Sequence, residues 1–306
     1  MIRTTLTVCI ATYKRSEGLH RLLESLRIQE FIQNKKPDWN IVVVDNDELA
    51  TNENFIKELS KDFPVPIMYG VQPKRGIASA RNLAVELAGN SDYVAFIDDD
   101  EVAGPNWLDE LLTGIETYRA DVVTGPVIPA FEEPPKEWMI RGGFFTRARF
   151  TTGEEIKVAA TNNTLVSKKW LHLWKGPFDE RLSFVGGSDT LLFTKIHQSG
   201  GKIVWLDEVV VHEYNPPQRT NLKWILKRSL RLGNSVVQIE RMANESITIK
   251  IIRIIKCGGH LVGGILLFIP YGLIFGFPGI VKSLCIFSRG IGEMMGISGL
   301  QYEIYK

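Results

Sequence analysis

The chain has 306 residues, 44% of them hydrophobic and 23% charged, with a formal net charge of +1. That composition supplies a full core for one large domain with an appendage, or for two modest domains, and it excludes global disorder. The near-neutral balance argues against a generic polyanion binder. The charge is nevertheless segregated: residues 216–256 hold nine basic and two acidic side chains, +7, which leaves −6 for the rest.

A strand predicted over 6–11 opens the chain almost at once, so no secretory signal peptide is expected. A helix over 16–29 follows, with Leu19, Leu22, Leu23 and Leu26 on one side. A second strand over 41–44 ends in Asp45-Asn46-Asp47, a third covers 67–71, and a small-residue helix covers 77–88. The apolar strand over 93–97 then runs into four consecutive acids, Asp98, Asp99, Asp100 and Glu101. Four like charges there repel one another unless something positive sits among them. A divalent cation with hard oxygen ligands, itself holding phosphate, is the economical answer; a solvated acidic loop capping a later helix is the alternative. A helix over 107–118 and a strand over 122–127 continue the alternation. Strands apolar on both faces, alternating with helices, predict an α/β fold with a mostly parallel sheet covered on both sides. Ligands bind such sheets outside the carboxyl ends of the strands, where Thr12, Asp45 and Asp98 all sit.

Residues 129–157 are irregular and rich in Pro, Gly and aromatics (Phe131, Trp138, Phe144, Phe145), which reads as a long loop or small subdomain suited to a binding surface. A strand is expected over 161–167, and Gly186-Gly187-Ser188-Asp189 opens a helix through about Gln198 with Ser188 as its cap. Short strands over 203–206 and 209–212 follow. In the tail, Lys250, Arg253 and Lys256 recur every three residues among isoleucines, a basic stripe suited to an anionic membrane surface or a solvated helical face. Residues 257–281 carry no formal charge, but Gly263, Gly264, Pro270, Gly272, Gly276, Pro278 and Gly279 interrupt them. A re-entrant or interfacial anchor is therefore preferred to a span, with a dimer interface as the soluble alternative. Cys9, Cys257 and Cys285 are too few and scattered for a disulfide framework or zinc site, and a reducing compartment is expected.

Four segments now read together: Thr7-Val8-Cys9-Ile10-Ala11-Thr12-Tyr13-Lys14-Arg15, Val42-Val43-Val44-Asp45-Asn46, Gly76-Ile77-Ala78-Ser79-Ala80-Arg81-Asn82 and Phe96-Ile97-Asp98-Asp99-Asp100. In this order, over about residues 4–235, the chain resembles the family 2 inverting glycosyltransferases, and among them the bacterial exopolysaccharide and surface-polysaccharide type. The resemblance implies a Rossmann-like GT-A catalytic domain over 1–235, followed by a basic and hydrophobic membrane-associated tail over 236–306. It implies transfer of one sugar from a nucleoside diphosphate sugar, UDP-linked first, to a hydroxyl of a lipid-linked or growing surface glycan, with Mn2+ or Mg2+ as cofactor. No nucleic-acid partner is implied, and the setting is the cytoplasmic side of the bacterial inner membrane.

The same resemblance distributes roles. Thr12, Arg15 and Asp45 line the nucleotide pocket, Arg81 approaches the diphosphate, Asp98 and Asp99 contact the nucleotide, and Asp100 holds the metal. Asp45 is otherwise a turn former after a strand. Asp189 is the base that takes the acceptor's proton, in a family position where an acid usually stands at Ser188; its alternative is to complement the helix dipole. His212 either completes the metal's coordination or is a satisfied core histidine. Lys74 and Arg75 read as a solvated loop. Gln218, Arg219 and Trp224 are misspaced against the Gln-x-x-Arg-Trp signature of processive synthases, which favours single transfer. Two rivals remain: a sugar-nucleotide nucleotidyltransferase, which would begin with a Gly-rich loop, and a membrane-anchored degenerate scaffold, which would have lost Asp98, Asp100 or Asp189.

Overall fold

The computed structural model describes residues 3–33, 36–243 and 246–303, so both extremes of the chain and positions 244–245 of the expected tail lie outside it. It contains two compact units. The first comprises the chain up to Ile128, Arg147–Ser183 and Ser188–Tyr214; the second comprises Pro129–Thr146, Phe184–Gly187 and the chain from Asn215.

The elements in chain order are β1 (Thr5–Thr12), α1 (Ser16–Arg27), β2 (Asp38–Asp45), α2 (Glu53–Leu59), β3 (Ile67–Val71), α3 (Ile77–Leu87), β4 (Tyr93–Phe96), β5 (Glu101–Ala103), α4 (Trp107–Tyr118), β6 (Val122–Thr124) and β7 (Val127–Phe131). Then come α5 (Glu137–Gly142), β8 (Glu155–Ile156), β9 (Thr164–Ser167), α6 (Lys168–Leu171), α7 (Ser188–Gln198), β10 (Ile203–Trp205), β11 (Val211–Asn215), α8 (Leu222–Ala243), α9 (Ile247–Leu266), α10 (Phe268–Phe275) and α11 (Phe277–Ile297).

In the first unit, eight strands form one sheet in the order β3-β2-β1-β4-β9-β6-β10-β8. The strands β3, β2, β1 and β4 run parallel, and β9 is inserted antiparallel between β4 and β6. Successive residues of a strand point to opposite faces, so Leu6, Val8 and Ile10 join α1 and α4 in one core layer while Cys9 joins α3 and α7 in the other. That is why the strands read as apolar throughout. The four leucines of α1 are all buried in the first layer, as their spacing predicts.

Several elements depart from expectation. The strand expected over 122–127 breaks at Pro126, which has no N–H to continue a ladder; its carbonyl accepts instead from Val211 at 3.2 Å and from Asn163 Nδ2 at 3.1 Å. The short elements α2, β5, α5 and β8 were not expected, being too brief to show a period.

In the second unit the aromatics of the expected loop build a core. Trp138 meets Phe144 and Phe277 edge-on, and Phe145 packs between Phe131 and Trp224. Burying them against one another removes apolar area that a free loop would leave in water. The helix α8 runs unbroken through Arg231-Leu232-Gly233, so the expected boundary at 235 falls inside it. Nor is the basic stripe continuous. Lys250 and Lys256 are exposed, but Arg253 turns inward, where it pairs with Glu240 and, at 2.8 Å, with the fully buried Glu293. A buried arginine survives only when paired in this way. Among the described residues no single helix is long and apolar enough to cross a membrane; α9 and α10 together are, but they are bent by 55°.

Candidate active site

The parallel register puts Thr12 beside Asp45 at the carboxyl ends of β1 and β2. Asp98, Asp99 and Asp100 occupy the turn from β4 into β5, and Glu101 begins β5. Glu101 closes that turn on itself: its N–H donates to the Asp98 carbonyl at 3.1 Å, and its Oε2 accepts from the Asp98 N–H at 2.9 Å. The first turn of α1 lies against this loop. A Cβ on Gly18 would stand 2.5 Å from the Asp99 carbonyl oxygen, so only glycine permits the approach that brings Arg15 to the acids.

The positive charges inside the cluster are arginines. Arg15 Nη1 donates to Asp99 Oδ1 at 2.8 Å and to Asp100 Oδ2 at 2.9 Å. Thr12 Oγ1 donates to the other oxygen of Asp99 at 2.8 Å, and Arg81, from α3, pairs with Asp98 at 2.9 Å. Thr12, Arg15, Arg81, Asp98, Asp99 and Asp100 are thus brought together as one charge network. Asp99 is only 4% exposed. Burial pushes its carboxyl up to about 6, and Asp100 adds to the rise, while Arg15 and Thr12 pull against it.

Glu101, the fourth acid of the run, is buried in β5, and one of its oxygens, Oε1, has no hydrogen-bond partner. Burial, then the charges of Asp98, Asp100 and Glu213, push its carboxyl well above the usual range. Glu213 faces it across the β5–β11 pair and is itself held by Arg147 at 2.7 Å. No local pattern marks Glu213 or Arg147; only the strand register sets a carboxylate opposite a carboxylate, and Arg147 supplies the counter-charge that such a pair needs.

Asp45, expected to accept from the nucleotide, is fully enclosed. Its oxygens accept from the Asp47 N–H at 3.0 Å, Asn52 Nδ2 at 2.8 Å and the Tyr69 hydroxyl at 2.9 Å. These bonds tie it to the turn after β2 and to β3. Asn46 does the same for the next loop, donating to the carbonyls of Gln72 and Lys74 and accepting from the Gly76 N–H. Lys74 pairs with Glu180, and Arg75 lies over the Tyr13 ring, 5.0 Å from its centre. Both are exposed, as a solvated loop requires.

Asp189 lies in the first turn of α7, half-buried, its Oδ1 accepting from the Thr190 N–H at 2.8 Å. Ser188 is the first helical residue rather than the cap, and its hydroxyl is buried with no hydrogen-bond partner. His212 stands opposite Val102 in the antiparallel pair, so alternation turns it to the other face from Glu101 and Glu213. There it lines a surface depression with Glu110 and Glu208.

Asp98 and Asp100 are hard oxygen donors of the kind Mg2+ and Mn2+ prefer, and the unpartnered Glu101 oxygen beside them marks a surplus of negative charge. Among the described residues no group of three or more His, Cys, Asp or Glu side chains forms a complete metal site. Asp98 and Asp100 could supply two of a cation's oxygen ligands.

The chain is similar to known proteins. The family described as "Glycosyl transferase family 2" matches residues 7–174, a span that starts within β1 and includes the acidic turn. The succinoglycan biosynthesis protein ExoM of Rhizobium meliloti (strain 1021) is 32% identical over 226 residues, 74% of this chain and 72% of that protein. The glucosyl-dolichyl phosphate glucuronosyltransferase of Haloferax volcanii is 26% identical over 249 residues, 76% of each chain. Among solved structures, S. aureus TarS 1-349 in complex with UDP covers 98% of this chain and 93% of that one at 14% identity and a TM-score of 0.53. GalNAc-T7 with UDP, GalNAc and Mn2+ covers 78% and 48% at 15% identity and a TM-score of 0.56, and this likeness, like that to TarS, shows a common GT-A fold. The family match over more than half of the chain and the extended identity to ExoM establish that the chain belongs to glycosyl transferase family 2.

Proposed function

We propose that the protein is an inverting glycosyltransferase of polysaccharide biosynthesis that moves one sugar from a nucleoside diphosphate sugar to a hydroxyl of a glycan or lipid-linked glycan. The observation that carries this reading is the network of Thr12, Arg15 and Arg81 with Asp98, Asp99 and Asp100 at the carboxyl ends of β1 and β4. A UDP-linked donor is the first to test, UDP being the nucleotide bound in both structural relatives. The apolar tail supports action at a membrane, and the bacterial relative ExoM supports a bacterial setting, for which we take the cytoplasmic side of the inner membrane.

In this mechanism Arg81 and Arg15 exchange part of their carboxylate pairing for the donor's diphosphate, and Asp98 and Asp100 remain as the oxygens that would hold Mn2+ or Mg2+. The cation supplies Lewis-acid neutralisation of the departing nucleoside diphosphate. Asp189 takes the proton of the acceptor hydroxyl as that oxygen bonds to the anomeric carbon from the face opposite the diphosphate. The bond from that carbon to the phosphate oxygen breaks with its electron pair leaving on the diphosphate, the proton stays on Asp189, and the anomeric configuration inverts. Thr190 holds one oxygen of Asp189, and the other carries no hydrogen bond among the described residues.

Calorimetric titration with UDP, dTDP and GDP, with Mn2+ and then with chelator, tests the reading. Metal-dependent binding of one nucleotide, lost in Asp100→Ala, is expected. Asp189→Asn is expected to bind that nucleotide normally and to lose transfer by about 100-fold or more. Retained transfer removes Asp189 as the base, and absence of nucleotide binding by folded protein removes the donor class.

A further inference from the structure

The second unit exposes an apolar surface that water does not tolerate well. Along α9 and α10, Ile247 is 74% exposed, Ile274 69% and Leu273 83%, and Ile251, Ile255 and Ile269 continue the same surface. Soluble monomers rarely expose contiguous apolar patches beyond a few hundred Å2. Among the described residues no single helix suffices to span. At Gly276 the backbone takes φ +63° and ψ −145°, a region open to glycine alone, and the chain reverses. The returning α11 runs antiparallel along α9 and α10, with the Gly279 backbone against Tyr271, Gly264 against Phe287 and Gly290 against Leu261. Ser283 donates to the Gly264 carbonyl and seals the seam. Both arms therefore start and finish on the same side of the Gly276 apex.

Charge limits how deep that apex can go. Lys282 is exposed six residues beyond Gly276, a helical rise of about 9 Å, and its ammonium lies 5.8 Å from the centre of the Phe275 ring. One leaflet of hydrocarbon is about 15 Å deep, so the apex reaches that depth only when Lys282 swings from Phe275 toward the headgroups, as a long cationic side chain can. Lys250 and Lys256 remain exposed on α9, while Arg253 is turned inward and neutralised by Glu240 and Glu293. The cations left outside are those that match anionic lipid phosphates.

We propose that α9, α10 and α11 form a re-entrant anchor that seats the Leu273, Ile274 and Phe275 apex in one leaflet of an anionic bilayer, with Lys250, Lys256 and Lys282 among its phosphates. The anchor rests on the membrane part of the proposed function and refines it: it enters and leaves by the same leaflet.

The test uses the full chain and sealed vesicles of phosphatidylcholine, with and without phosphatidylglycerol. Flotation with the anionic vesicles is expected. Replacing Leu273, Ile274 and Phe275 together by Ser is expected to lower partitioning by about 100-fold or more, since three large apolar side chains leave the lipid. Lys250→Glu with Lys256→Glu is expected to abolish the preference for phosphatidylglycerol. A fluorophore on Phe275→Cys, in a Cys285→Ser background, is expected to be quenched by nitroxides on the lipid chains and untouched by a water-soluble quencher sealed inside. Quenching from inside means a span and overturns the proposal. Failure to float, with a dimer in solution, means that the face pairs with a second copy and also overturns it. Calorimetric nucleotide binding by the triple-serine variant should equal that of the parent, which separates failure of the anchor from failure of the transferase reading.

Discussion

Asp99→Asn offers a quantitative test of the charge network. The carboxyl of Asp99 is pushed up to about 6 from an ordinary 3.8, by burial first and by Asp100 next, with Arg15 and Thr12 opposing. The rise of roughly two pKa units corresponds to about 3 kcal/mol at 1.36 kcal/mol per unit. The sign follows from proton uptake. Between the unfolded and folded values the native state holds more protons than the unfolded chain, so this group's contribution is fully present below about pH 4 and is lost as pH rises through about 6. Asparagine cannot ionise, yet its oxygen still accepts from Arg15 or Thr12. On passing from about pH 4 to about pH 8, the variant should therefore gain about 3 kcal/mol relative to the parent. Urea unfolding at the two pH values, followed by tryptophan fluorescence, measures the gap. Parallel pH profiles for the two proteins would mean that Asp99 ionises normally, and that Arg15 and Thr12 fully offset its burial.

The other substitutions test neighbouring claims. Glu101→Gln removes a carboxyl held well above its usual range by burial and by Asp98, Asp100 and Glu213. Its stability advantage over the parent should widen as pH rises through the folded value of Glu101, and thermal melting across a pH series will show whether it does. Arg253→Met leaves the fully buried Glu293 without its strongest partner. That change should cost about 3–5 kcal/mol, most of it recovered when Glu293→Leu is added, and a double-mutant cycle by thermal denaturation reads the coupling.

The ordered strand ends of the sheet were legible in the residues because a strand's polarity pattern is local. The apolar runs stop at Thr12 and at Asp98, and those stops are where the network forms. The leucine spacing of α1 and the small-residue face of α3 were legible for the same reason. Which groups donate to Asp45 was not, because Asn52 and Tyr69 lie seven and 24 residues away and only the folded sheet brings them to it. The inward turn of Arg253 depends on Glu293, 40 residues further on, and the side to which His212 points depends on its register against β5. Periodicity and turn chemistry act over a few residues and are written directly in the chain. Which buried charge meets which counter-charge is decided by helix packing and strand register, since desolvation penalises every arrangement except the paired one.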